Sequence, residues 1–201
     1  MKYLIAILLA LSTFTAVAQT DDYVITTNGD TIKCEVSVTW SLKYKVPGGK
    51  SEKIKTETIK EFYQQSNDIL FRALDINDNG KPEFIHVIQN GPISLYQRVG
   101  NNYAGAIGTL LTSLNWYVNK DNGKPFNIKG GVLISTGTTS KAKDGFGELL
   151  KDQPEIYNKY TAIDKLSFNK ILDLVSLYNT GQPYKPKVIK RDTEADMNKW
   201  Y

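Results

Sequence analysis

Between Ile69 and Val99 three apolar runs are separated by two polar turn sequences, Asn77-Asp78-Asn79-Gly80 and Asn90-Gly91-Pro92. Asn-Gly supplies the left-handed backbone conformations of tight turns, and the runs are rich in Ile, Val, Phe and Leu, so the stretch reads as a β-meander. Upstream, Tyr23 to Thr27 predicts a short strand and Asn28-Gly29-Asp30 a turn. Thr31 to Trp40 predicts an alternating strand, with Ile32, Cys34, Val36, Val38 and Trp40 on one face. Leu42 to Val46 continues as a strand into the turn Pro47-Gly48-Gly49-Lys50. Ser51 to Gln65 follows neither period cleanly and reads as a strand interrupted near Thr58.

Downstream of the meander, Asn101 to Ser113 fits a loose helix or a mobile loop, and Gly105 and Gly108 favour the loop. Leu114 to Asn119 is a strand, Asp121-Asn122-Gly123 its turn, Pro125 to Lys129 the return, and Gly130 to Ile134 a last strand. Short connections built on Asn-Gly suit antiparallel neighbours, whereas parallel ones need long crossovers. The pentapeptide Asp-Asn-Gly-Lys-Pro occurs at residues 78–82 and 121–125. Its flanks differ, so it reads as one turn chemistry used twice rather than as a duplication.

Ser135 to Lys143 is small and polar, an expected exposed connector, and beyond it the apolar period becomes helical. Phe146, Leu149 and Leu150 share a first face. Asp152 and Glu155 flank Pro154 in a capping-box pattern that opens a second helix with Ile156, Tyr160 and Ile163 inward. A third helix starts at a Ser167 cap, carries Ile171, Leu174, Val175 and Tyr178, and stops at Gly181. The expected class is α+β: an antiparallel β-meander sheet or roll with a C-terminal bundle of two to three helices. The divisions are a signal peptide over 1–18, a β-rich region over 19–143, a helical region over 144–181 packed on the sheet in the same domain, and a mobile tail over 182–201.

The leader changes the picture of where the chain works. Met1 to Ala18 has a cation at Lys2, an apolar run from Leu4 to Leu11 and Ala16-Val17-Ala18 before Gln19, the marks of a secretory signal peptide. Export to the periplasm, the outer envelope or the extracellular space is expected, with no lipid at Gln19 and no transmembrane segment in the mature chain. The formal net charge of +4 is small and its basic residues are dispersed, which argues against a nucleic-acid partner. The lone Cys34 sits on the apolar face of its strand, so it is expected as a buried, inert thiol.

Candidate chemistry is sparse. Asp75, Asn77, Asp78 and Asn79 ahead of Gly80 match the first half of a calcium loop, but the twelfth position is His86 where a bidentate Glu is needed, and strands flank it. A polar hairpin turn without calcium is the expectation, and no cofactor is expected. His86, the sole histidine, shares a strand face with Phe84 and Ile88 and is expected to be core or half-buried. Signatures of serine, cysteine, zinc, P-loop and dinucleotide sites are absent from the sequence, so no catalytic residue is assigned. Trp40, Tyr96, Tyr103, Trp116 and Tyr117 are the candidate binding surface, a stacking platform weighed against ordinary cross-strand packing.

Several pieces together carry a resemblance. They are the opening strand into Asn28-Gly29-Asp30-Thr31-Ile32, the Pro82 strand paired with Ile93-Ser94-Leu95-Tyr96, the Trp116-Tyr117-Val118 strand, and Leu149 to Glu155 with Leu177-Tyr178-Asn179. In these the chain resembles a group of uncharacterised exported envelope proteins of Bacteroidota. The resemblance implies an exported location and a similar fold, and brings no catalytic residues. The expected function is therefore non-enzymatic binding of a protein, peptide or glycan in the envelope or outside the cell. The alternative is a hydrolase using carboxylates dispersed along the chain.

Overall fold

The computed structural model describes residues 21–39, 41–104, 109–132 and 135–186. The expected signal peptide, Trp40 and the tail beyond residue 186 lie outside them. The chain forms two compact units, Met1–Ala73 and Leu74–Tyr201.

In the first unit, β1 (Tyr23–Thr26) lies between β2 (Thr31–Lys33) and β6 (Ile59–Gln64), and β6 also pairs with β7 (Ile69–Leu74). A separate sheet holds β3 (Glu35–Val38), β4 (Leu42–Lys45) and β5 (Ser51–Lys53). All these ladders are antiparallel. Gly29, with φ of 95°, makes the first hairpin turn in a conformation that side chains resist.

The strand expected over Thr31 to Trp40 is in fact two strands in different sheets, broken at Cys34. Asp22 holds the corner. Its carboxylate accepts the N–H groups of Val36 at 2.8 Å and Gln65 at 2.7 Å, while its carbonyl accepts the Cys34 N–H at 3.1 Å. The inward alternation survives the break, with Cys34 and Val36 buried beside Val24, Ile59 and Phe62. Burial, then the nearby Asp22 charge, push the Cys34 thiol up to about 11, which leaves it protonated and inert as expected. The interruption expected near Thr58 is a turn in which Thr58 and Ile59 both donate to the Lys55 carbonyl.

The second unit is an antiparallel run of β8 (Glu83–Gln89), β9 (Ile93–Ala104), β10 (Thr109–Lys120), β11 (Phe126–Val132) and β12 (Ser135–Gly137), followed by three helices. The helices are α1 (Ser140–Leu150), α2 (Pro154–Thr161) and α3 (Phe168–Thr180). The α+β class with antiparallel strands and C-terminal helices is therefore the observed one. Four expectations change. Residues 101–104 and 109–113 are strand, not helix or loop, because cross-strand register continues unbroken to Ala104 and Thr109. The polar connector shrinks, since Thr139 caps α1 by accepting the Ala142 N–H at 3.2 Å. No side chain caps α2, and Asp152 turns instead to Lys120 and Tyr178. Gly91 does not supply a left-handed φ; its missing Cβ admits Asn179, whose amide atoms would lie 2.7 Å from one.

One core fills this unit. Ile93, Leu95, Trp116, Val118 and Ile128 face Phe146, Leu150, Ile156, Ile171, Leu174 and Val175. Polar contacts fix the register of helix on sheet: Asn179 accepts the Ile93 N–H at 3.0 Å and donates to its carbonyl at 2.7 Å, and Gln89 donates to the Leu172 carbonyl at 2.9 Å.

Candidate functional site

The loop with calcium-like spacing is a hydrogen-bonded turn. Asp75 accepts the Asn79 N–H at 3.1 Å on one carboxylate oxygen and the Gly80 N–H at 2.7 Å on the other. These backbone donors, Asn79 first, hold its carboxyl below the usual carboxylate value. Asn77 donates to Glu83 at 3.2 Å, Asn79 accepts the Lys81 N–H at 2.9 Å, and Asp78 pairs with Lys124 at 2.6 Å. The two Asp-Asn-Gly-Lys-Pro turns are thus joined by a bridge from the Asp of the first to the Lys of the second. They are not alike in backbone: φ is positive at Asp78 and Gly80 in the first, at Asp121 and Asn122 in the second. Among the described residues no group of three His, Cys, Asp or Glu side chains is placed to hold a metal ion.

Two of the five aromatic candidates, Tyr96 and Trp116, are buried. Tyr96 is fully buried and its hydroxyl donates to Asn119 at 3.2 Å; Trp116 is 6% exposed and packs on Phe168 with ring centroids 4.5 Å apart. Tyr117 is half-buried, Trp40 is outside the described residues, and Tyr103 lies on β9 opposite Leu110. Trp116 belongs to the helix-side core, whereas Tyr96, next to helix-facing Leu95 and opposite Val87 and Tyr117 in the ladders, is buried on the other face of the sheet. On β8 the buried residues are Ile85 and Val87, while Phe84 and His86 are half-buried. A register shift between Val87 and Gln89 makes Ile88 the extra residue of a bulge, and Ile88 packs against the helix-side core.

Charged side chains are drawn into contacts in three places, two of them buried. In the first unit Glu61, 7% exposed, accepts both Nε and Nη2 of Arg72 on one oxygen, at 2.8 and 2.6 Å. Tyr23 donates to its other oxygen at 3.4 Å, and burial followed by the Glu61 charge pushes the Tyr23 phenol up to about 12. That carboxylate is an ion-pair partner. In the second unit Lys120 reaches Asp152 at 2.7 Å and the Leu149 carbonyl at 3.1 Å, and Tyr178 donates to the same Asp152 oxygen at 2.6 Å.

Lys129 is the third and differs in kind. It is 6% exposed, donates to the Leu166 carbonyl at 3.1 Å and sits 5.2 Å from the Phe168 ring centroid. Among the described residues no acid forms an ion pair with it, and burial together with Lys165 and Lys143 depresses its pKa. A register shift between Trp116 and Tyr117 skips Ile128, so that Ile128 and Lys129 are both buried where alternation would send one outward. Sequence gave no hint of this, because a bulge leaves no mark in the period.

The other feature missed from sequence is a ribbon. Strands β9 and β10 pair continuously from Ile93 opposite Lys120 to Ala104 opposite Thr109. β11 joins β10 only from Ser113, and β8 meets β9 over Leu95 to Gln97. Among the described residues no third strand pairs with 101–104 or 109–112. Gly100 to Ser113 contains no charged residue and no proline, and just before it Val99 is 60% exposed.

No helix among the described residues is long and apolar enough to cross a membrane. No family model matches the chain, and neither a curated protein nor a solved structure is significantly similar to it.

Proposed function

We propose that the chain is a non-enzymatic, exported protein that binds an extended segment of another protein in the cell envelope or outside the cell, and that the far end of the β9–β10 ribbon is its docking element. The carrying observation is the ribbon itself: two strands whose outer edges have no third strand among the described residues. Free edges carry rows of backbone donors and acceptors, and proteins usually guard them with charges, proline or bulges. Here the sequence from Gly100 to Ser113 carries neither a charge nor a proline. An extended segment adding as a strand would satisfy those groups, with exposed apolar side chains such as Val99 adding contact area. Burial of Tyr96 and Trp116 takes two of the five aromatic candidates out of a glycan's reach. Export rests on the leader sequence of residues 1–18.

The test is a photo-crosslinking amino acid at Asn102, in cells making the full chain, compared with the same group at Lys43 on β4. A discrete adduct from position 102 and none from position 43 is expected. No adduct from the ribbon, or equal adducts from both positions, would overturn the reading.

A further inference from the structure

We propose that Lys129 and the Trp116 indole N–H form a site for the carboxylate of a short apolar acid, at the interface of β10, β11 and the α2–α3 connection. Two buried donors lie together there. Trp116 and Lys129 are directly opposite each other in the ladder, and both meet Phe168, by ring contact at 4.5 Å and by the ammonium at 5.2 Å from the centroid. The Trp116 Nε1 is buried and has no hydrogen-bond acceptor among the described residues. The Lys129 ammonium has three donors and places one on the Leu166 carbonyl.

A buried N–H without an acceptor is destabilising, and a buried cation without a counter-charge is more so. An apolar residue here would be buried at lower cost, yet the bulge at Ile128 brings a lysine inward. An anion with two oxygens answers both deficits at once. Half-buried Lys143 and exposed Lys165 are the charges felt at Lys129, and both are positive, so the field also favours an anion. The apolar neighbours are Trp116, Phe168 and Leu166, which suit an alkyl tail better than the hydrated shell of phosphate.

The experiment follows the Trp116 indole N–H in a two-dimensional 15N NMR spectrum of the full chain, assigned by its loss in Trp116→Phe. Butyrate, acetate and inorganic phosphate are titrated at constant ionic strength. Saturable movement of that resonance is expected, at a several-fold lower concentration with butyrate than with acetate, and no saturable movement with phosphate. In folded Lys129→Met the movement should vanish, and in Lys143→Ala/Lys165→Ala the midpoint should rise several-fold. An indole resonance unmoved by butyrate in the unmutated protein would overturn the proposal without any variant, as would an unchanged titration in Lys129→Met. Saturation by phosphate at lower concentration than butyrate would overturn the carboxylate assignment.

Discussion

Asp152 shows how little of a charge contact needs to be read as stability. Its carboxylate takes hydrogen bonds from Lys120 and Tyr178, and these, Lys120 first, hold its pKa below the ordinary value. A carboxyl whose folded pKa lies below its unfolded one contributes stability that is full above the unfolded value, about 3.9, and disappears as pH falls through the folded value. The side chain is 55% exposed, so screening limits the contribution to about 1 kcal/mol or less. Thermal unfolding should therefore show Asp152→Asn less stable than the unmutated protein by a constant margin above about pH 5, with the gap closing below about pH 4. A gap that stays open at the acid end would show that the side chain acts through packing and not through its charge. Lys129 titrates in the other sense: its depressed pKa makes the charged form a cost at neutral pH that alkaline conditions relieve.

Among the elements, α3 combines the clearest signals. Ser167 accepts the Lys170 N–H at 3.3 Å, and Gly181 ends the helix at φ 70° with its N–H on the Leu177 carbonyl. Ile171 and Val175 are fully buried against the sheet. Ile171→Ala should cost about 2–4 kcal/mol and Val175→Ala somewhat less, measured by denaturant unfolding, while exposed Asn169→Ala should stay within about 0.5 kcal/mol. Unchanged midpoints in both core variants would mean that the helix is not docked. This helix was legible in the sequence because cap, stripe and stop are all local. What was hidden depended on distant partners. Asp22 breaks the Thr31 to Trp40 run from across the fold, strand pairing turns Asn101 to Ala104 into ladder despite the glycines that follow, and the slip at Ile128 turns Lys129 inward. The same holds for the aromatic candidates: residue type marked Tyr96 and Trp116 as able to stack, but tertiary packing, with the helices over Trp116, decides that both are covered.

At the scale of the whole molecule, the helices, the core and the ribbon all belong to the unit Leu74–Tyr201. The ribbon's far end lies outside the ladders to β8 and β11, and among the described residues the core cluster draws on β9 and β10 at Ile93, Leu95, Trp116 and Val118, with half-buried Leu114 packed against it. Folding and docking are then separable, and the separation can be made in the chain. Gly100 and Ser113 face each other in register, so a two-residue Asn-Gly turn in place of residues 101–112 closes the hairpin at that pair. The decisive measurement compares this shortened protein with the full chain by thermal unfolding and by size-exclusion of native envelope and culture-supernatant fractions. The account predicts a melting temperature within about 4 °C of the full chain, a change worth roughly 1 kcal/mol or less, together with a shift from a larger complex to free protein. A complex that persists without the ribbon, or a shortened chain that no longer folds, would contradict it.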